Sequence, residues 1–391
     1  MTGTGRCRFL DNAAGSTLLQ GRSPQSRDFN GARHNARRCD ECGHVFFEAP
    51  PAAELERHYN GAYPAMAASW YNPDDDYAAS KTDRRAARIV EIAARFGFGA
   101  SHAYHEIGCA FGGTVDALNR LGYDTTGTDL NAQAIARGRE IGNTAIHAED
   151  DLTFLRRTDR RPNVVYGYHV LEHMPDPVGY LRSLSALLAP DSIAILCVPN
   201  ATALFPSAYG FDRYIWFAYP EHINYLSPHS AGCLATAAGY DLAALETFPW
   251  GLEPEATARA LGEPDAGPIG AALRDRLAHD GLAEEELVIV LTPSGGPIAT
   301  RHPASTPPDR RTFELELRRI GRDTLLPWPP VDAKAERARI AAEAETLRQS
   351  LRATEHRAEQ AEIHLNAMRV STFWRMTAWP RRLVDRLTGR G

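Results

Sequence analysis

His105-Glu106-Ile107-Gly108-Cys109-Ala110-Phe111-Gly112-Gly113 is the stretch whose reading decides the fold. Residues 103–107 read as the end of a short strand, and residues 114–121 carry apolar side chains at helical spacing. The turn between them holds Gly108, Gly112 and Gly113 and the small residue Ala110. Such a turn lets backbone N–H groups approach a ligand and aims a helix N-terminus at it. About 20 residues further on, residues 123–130 read as a second strand ending in an acid, Asp129. A carboxylate there can accept hydrogen bonds from both hydroxyls of a ribose. The two strands predict a nucleotide or nucleoside site on an open parallel sheet.

The acid at the end of the first strand bears on which ligand. A dinucleotide fold uses the helix N-terminus to hold a pyrophosphate. Glu106 sits just before the glycines, where a carboxylate repels phosphate and suits a cation. S-adenosylmethionine carries an ammonium, a sulfonium and a ribose but no phosphate. Glu106, Gly108, Ala110, Gly112 and Asp129 are therefore its expected contacts. NAD and a purely structural turn are the competing readings.

With 391 residues the chain can hold two or three units, one with a full-size core. A net charge of −6 leaves no global basic surface to neutralise phosphates, which argues against general nucleic-acid binding. No apolar run reaches the length of a signal peptide or a membrane span. Six scattered cysteines fit a reducing compartment, so a cytoplasmic location is expected.

Upstream, Cys39-Asp40-Glu41-Cys42-Gly43 has the form of one zinc-ribbon knuckle, in which a turn aims two thiolates at one metal. A closed site needs four donors. Cys7 is present, but Leu10 stands where a second pair would be completed. His34 could join Cys7, Cys39 and Cys42, so either zinc or a decayed site is expected. Pro50-Pro51 ends this module, residues 52–63 read as a short helix, and residues 81–96 as an amphipathic one leading into the first strand.

Downstream, residues 131–141 predict a helix and residues 144–148 a third strand running into Glu149 and Asp150. Those acids could accept from an adenine amine, or Asp150 could cap the next helix. Residues 163–169 predict a fourth strand that delivers His169 to the ligand side, since ligands bind outside the carboxyl ends of such strands. His169, Glu172 and His173 fall on one face if the following turn is helical, a packed turn or a divalent-metal triad. A helix over 178–188, a fifth strand over 192–198 and final strands over 240–247 and 286–291 complete a doubly wound, seven-stranded α/β sheet.

With these residues in hand, the chain resembles a class I S-adenosylmethionine-dependent methyltransferase from about residue 84 to about 294. The resemblance is carried by E-I-G-C-A-F-G-G at 106–113, T-G-T-D at 126–129, H-V-L-E-H-M-P-D-P at 169–177 and E-H-I-N-Y-L-S at 221–227. The Cys-bearing front end followed by Pro-Pro is similar to the zinc-ribbon module of a branch that includes sugar C-methyltransferases. The His169-Glu172-His173 turn also resembles quinone-type O-methyltransferases. In the sugar enzymes a Tyr-x-Glu-His motif lines the acceptor pocket and its His is the proposed base. By that match Tyr219, Glu221 and His222 carry over as catalytic. A neutral His suits proton removal, with Glu221 expected to orient it or tune its pKa. The surrounding residues 201–230, rich in aromatics, form either a lid with a sugar platform or a satellite core.

The expected organisation is a zinc-ribbon-like module at 1–63, the methyltransferase domain at 64–294, a Pro-rich linker at 295–332, a long helix or coiled coil at 333–368 and a basic aromatic tail at 369–391. Ile340, Ala344, Leu347, Leu351, Ala358, Ala361, Leu365 and Met368 follow heptad spacing, which implies either a homo-oligomer or a helix folded back on the chain. Arg375, Arg381 and Arg382 beside Phe373, Trp374 and Trp379 suit an anionic membrane's inner face or an acidic assembly partner. That tail resembles those of surface-polysaccharide enzymes. Methyl transfer to a saccharide or other small molecule, in polysaccharide or deoxysugar biosynthesis, is the leading expectation. Quinone-type O-methylation and a non-catalytic scaffold acting through the coiled coil are the alternatives.

Overall fold

The computed structural model describes residues 7, 9, 16–19, 26–29, 32–60, 76–158, 161–203, 216–248 and 284–301. The linker beyond residue 301, the coiled coil and the basic tail lie outside the described residues, as do Phe205, Tyr209, Phe211 and Tyr214. Among the described residues no helix is long and apolar enough to cross a membrane.

The N-terminal elements are short strands: β1 (Ser16–Leu18), β2 (Ser26–Phe29), β3 (Ala32–Asn35), β4 (Arg37–Cys39) and β5 (Val45–Phe46). Helix α1 (Ala52–Asn60) starts where its sequence suggests, residues 61–63 lying outside the described residues, and α2 (Asp76–Arg95) begins five residues earlier than expected. The large domain follows with β6 (Ala103–Ile107), α3 (Gly113–Arg120), β7 (Asp124–Asp129), α4 (Ala132–Glu140), β8 (Ile146–Ala148), α5 (Asp151–Arg157) and β9 (Val164–Tyr168). After α6 (Pro177–Ser185) and β10 (Ile193–Pro199) come β11 (Asn224–Tyr225), α7 (Pro228–Ala238), β12 (Tyr240–Phe248), β13 (Glu286–Pro293) and α8 (Pro297–Arg301).

Seven strands form one sheet in the order β12-β13-β10-β9-β6-β7-β8. Pairings among β8, β7, β6, β9 and β10 are parallel, and β13 runs antiparallel to both neighbours. The order reverses between β6 and β9, so the crevice at their carboxyl ends is the switch point where such sheets bind ligands. Strands β6, β9 and β10 are buried along their whole length because helices cover both faces. Alternate residues serve opposite cores. Val165, Leu196 and Ile289 pack on the side of α5, α6 and α7, while Tyr166, Ile195 and Val290 meet Ile89 and Ile92 of α2.

The N-terminal strands share a sheet with the large domain. Strand β11, from the segment after β10, pairs with β5 through Asn224↔Phe46 and Tyr225↔Val45, closing a sheet of order β1-β4-β5-β11. Phe217, Tyr219, Ile223 and Tyr225 share a core with Leu19, Val45 and Phe47. The described aromatics of the insertion are thus a satellite core, not an open platform. Apolar rings that have a partner to bury against do so, at about 25 cal/mol per Å² removed from water.

Candidate active site

Two acids stand at adjacent strand ends. Glu106 lies on β6 and Asp129 closes β7, which pairs directly with it. The turn after β6 bends sharply back: Gly108 has φ +64° and Ala110 φ +50°. A Cβ at Gly108 would sit 2.5 Å from Val170 Cγ2, so only glycine lets this turn rest on the turn that follows β9. Asp129 organises the loop. Its Oδ2 accepts from the Ala110 N–H at 2.8 Å and its Oδ1 from the Asn131 N–H at 2.7 Å.

Glu106 is buried and Asp129 half-buried, and burial raises the pKa of each. For Glu106 the value is pushed up to about 8 despite the Arg85 charge and a Tyr166 hydroxyl at 3.4 Å. Buried carboxylates that desolvation holds toward neutrality gain most from a cation placed beside them. The donor set therefore fits S-adenosylmethionine: Glu106 and Asp129 would hold its charged and ribose portions, with Gly108, Ala110 and Gly112 letting the backbone come close.

The other expected cofactor contacts are engaged elsewhere. Asp150 caps α5, accepting from the Thr153 N–H at 2.9 Å, and Glu149 is ion-paired with Arg157. The capping reading of Asp150 prevails because the helix start directly after it leaves N–H groups to satisfy. His169 reaches the end of β9 in a left-handed conformation, φ +57°, but its ring does not face an open cleft. Its Nδ1 lies 3.1 Å from Glu172 Oε1 and its Nε2 3.3 Å from Glu286 Oε1. Burial works against charge on His169, and the two carboxylates more than offset it, raising its pKa. The helical-triad reading of His169, Glu172 and His173 fails on this geometry. The turn is 3-10 over Leu171–His173, and His173 points to His222 instead.

His222 is 5% exposed and enters from the segment before β11. That segment is clamped to the turn after β9: Ile223 N–H donates to the Glu172 carbonyl at 2.9 Å, and Asn224 Nδ2 to the Met174 carbonyl at 2.7 Å. His222 Nδ1–H donates to the Trp216 carbonyl at 2.8 Å. This fixes the tautomer and leaves Nε2 as the basic nitrogen. Nε2 faces Glu172 Oε1 at 4.0 Å, and the His173 ring stands edge-on at 4.6 Å. Burial foremost, with the His173 charge, pushes the His222 pKa down to about 3. Glu172 is fully buried and its Oε2 has no hydrogen-bond partner. A vacant acceptor in that position points toward a ligand or a shuttled proton.

Glu221 does not serve His222. Its Oε1 accepts from His58 Nε2 at 2.6 Å, which ties α1 to the insertion. The acid opposite His222 is Glu172. Tyr219 is likewise turned to the N-terminal strands, its hydroxyl 3.1 Å from His34 Nδ1 and 3.4 Å from the Glu48 carbonyl. The reason is the same for both: each adjoins the satellite core, whose polar atoms need partners where the two segments meet. His34 is thereby separated from the cysteines. Cys7, Cys39 and Cys42 are all buried, free and within 4.8 Å of one another.

Sequence reasoning missed Glu286 and Arg88, and took Trp216 only as one aromatic of the 201–230 insertion. Arg88 Nη1 lies 3.1 Å from Glu286 Oε2, extending the line Arg88–Glu286–His169–Glu172 toward His222. Trp216 stacks on His169 with ring centroids 4.6 Å apart. Glu286 begins β13, far along the chain, and no local pattern could have marked it.

Residues 79–245 match a family described as "Methyltransferase domain". A "Ubiquinone biosynthesis O-methyltransferase" from Caulobacter vibrioides is 30% identical over 172 residues, 39% of this chain and 67% of that relative. The protein of the same name from Cereibacter sphaeroides is 30% identical over 152 residues, 35% of this chain, which spans 62% of its length. A solved S-adenosylmethionine-dependent methyltransferase from Archaeoglobus fulgidus is 19% identical, covering 54% of this chain and 93% of its own, with a TM-score of 0.39. The sheet order, the acids at two adjacent strand ends, the matched methyltransferase domain and the Caulobacter vibrioides relative agree: the chain belongs to the class I S-adenosylmethionine-dependent methyltransferase family.

Proposed function

We propose that the protein methylates a hydroxyl oxygen of a small-molecule acceptor, and that His222 takes the hydroxyl proton. The observation that carries this reading is the His222 geometry, with Nδ1–H committed to the Trp216 carbonyl and Nε2 turned to Glu172. When bound, S-adenosylmethionine supplies a methyl carbon made electrophilic by its sulfonium. The chain's own residues orient the acceptor, receive its proton at His222 Nε2 and exclude water. Glu172 would stabilise the imidazolium that forms, as a buried carboxylate does for a nearby cation.

With its pKa pushed down to about 3, His222 is neutral at pH 7 yet weakly basic. A weak base matches an acidic hydroxyl of phenolic type, near pKa 10, better than a saccharide hydroxyl. The O-methyltransferase names of the matched relatives support the same choice. Radiolabelled methyl transfer to a panel of phenols and catechols tests it. Turnover that His222→Ala abolishes is expected, and transfer to nucleotide-linked sugars alone would overturn it.

A second reading, methyl transfer to a saccharide in deoxysugar or surface-polysaccharide biosynthesis, is favoured by one observation. The Cys-bearing module shares a sheet with the strand next to His222, which would let it border an acceptor site as in the sugar C-methyltransferases that the sequence resembles. On this reading the tail at 369–391 would dock the enzyme to an anionic membrane or assembly partner. Nucleotide-linked sugars in the same panel separate the two readings.

A further inference from the structure

Cys7, Cys39 and Cys42 bring three thiols to one point, with Cys7 Sγ 3.4 Å from Cys42 Sγ. The local backbone is that of a metal knuckle. The Cys39 N–H donates to the His44 carbonyl at 2.9 Å, the Gly43 N–H to the Cys39 carbonyl at 3.1 Å, and Gly43 turns at φ +71°. The Phe9 N–H lies 3.4 Å from Cys7 Sγ. A sulfur that accepts from a backbone amide is better placed to carry negative charge. Three thiolates leave a tetrahedral ion one donor short, and the expected fourth, His34, is bonded to Tyr219 instead.

A further thiol lies on the other side of the interface. Cys233 on α7 packs against the core that contains Cys7, Cys39 and Cys42, with Cys42 as the neighbour of its thiol. Helix α7 is firmly placed to present it. Ser227 and Ser230 cap each other reciprocally, Pro228 opens the first turn, and Gly239 closes the helix at φ +80°. His229, one turn before Cys233, sets its Nε2 3.8 Å from the Cys233 sulfur, where an N–H donor supports a metal-bound thiolate.

We infer that Cys7, Cys39, Cys42 and Cys233 together hold one structural zinc ion, with the methyltransferase domain supplying the fourth ligand. Four cysteine sulfurs with no open position make a closed site, so its role is structural. Binding would release the thiol protons to solvent and link the N-terminal strands to α7. Because α7 continues from the His222 segment through Leu226 and Ser227, the ion would brace the wall of the acceptor cleft from outside. The inference stands apart from the identity of the acceptor.

The full-length protein, expressed with zinc and purified under reducing conditions, tests this by metal analysis and by exchange to Co²⁺. One zinc per chain is expected, with a Co²⁺ spectrum of a tetrahedral tetrathiolate. Cys233→Ala should lower zinc affinity by at least about tenfold and cut the sulfur-to-cobalt charge-transfer intensity by about a quarter, one thiolate in four. Cys233→His should restore much of the affinity with a spectrum of three sulfurs and one nitrogen. Since Cys233 is only partly buried, these variants keep the fold, which circular dichroism checks. A zinc-free wild type, a Cys7–Cys42 disulfide in its place, or zinc binding unchanged in Cys233→Ala would each overturn the inference.

Discussion

Nε2 of His222 faces Oε1 of Glu172 at 4.0 Å, across the junction of the β9 turn and the segment leading to β11. Their backbones are joined there as well, through the Ile223 N–H and the Glu172 carbonyl at 2.9 Å. The two side chains are thus held as a unit. If His222 is the base, His222→Ala should lower kcat by about 10²–10⁴ while S-adenosylmethionine affinity measured by calorimetry stays near wild type. Because burial keeps the His222 pKa near about 3, the kcat/KM profile should show no inflection near pH 6.5 from this group. Wild-type kcat in His222→Ala would remove it from the chemistry.

Glu106 couples cofactor binding to protons. Burial raises its pKa to about 8, so at pH 7 the cofactor-free protein holds it mostly neutral. A cation beside it favours the carboxylate, and the proton must leave. Affinity for S-adenosylmethionine should therefore rise with pH up to about 8 and level off above it. Calorimetry in buffers of different ionisation enthalpy should register proton release. Glu106→Gln should bind more weakly and show no such release. The same raised pKa destabilises the cofactor-free fold as pH climbs from 4.5 to about 8, since the unfolded chain loses that proton first. Glu106→Gln should accordingly flatten that part of the stability profile.

Asp129 holds the Ala110 and Asn131 N–H groups with its two oxygens, besides its expected role toward a ribose. Hydrogen bonds to charged groups contribute roughly 1.5–3 kcal/mol each. Asp129→Ala should weaken S-adenosylmethionine binding by at least about tenfold, and Asp129→Asn less, since it keeps one acceptor. Equal affinities for wild type and Asp129→Ala by calorimetry would displace the cofactor from this strand end.

Much of the sheet was legible because it is built from local periodicity. Residues 103–107 read as a strand and Ala103–Ile107 is one, with the turn glycines at left-handed positions. Apolar runs such as Ile193–Pro199 announce a strand covered on both faces. The site was legible only in part. His222 and Glu172 could be singled out by type and position, but their pairing joins two distant segments. Glu221 is next to His222 in sequence, yet consecutive residues here point to different sides, so it meets His58 instead. The β5–β11 pairing involves only two residues of each strand, too few to leave a period-two signal. Without that pairing, nothing in the sequence brings Cys233 toward the N-terminal cysteines.

His169 gives the stability of the site a pH window. Its pKa is raised by the Glu172 and Glu286 hydrogen bonds and charges, which outweigh burial. For Glu286 burial acts upward, but His169, Arg85 and Arg88 bring the value down to about 2. Glu172 is lowered in the same sense, against its own burial, by His169 first among its neighbours. A raised histidine contributes its stability in full below pH 6.5 and loses it as pH rises through the folded value. Lowered carboxylates contribute in full above pH 4.5 and lose it as pH falls toward about 2. The network should therefore stabilise most between pH 4.5 and 6.5. His169→Gln should cost about 3–5 kcal/mol in that window, as breaking a buried ion pair does, and much less above pH 8. Urea unfolding of wild type and His169→Gln at pH 5.5 and pH 8.5 reads the difference directly. An equal loss at both pH values would mean that His169 stabilises by packing on Trp216 and not by its charge.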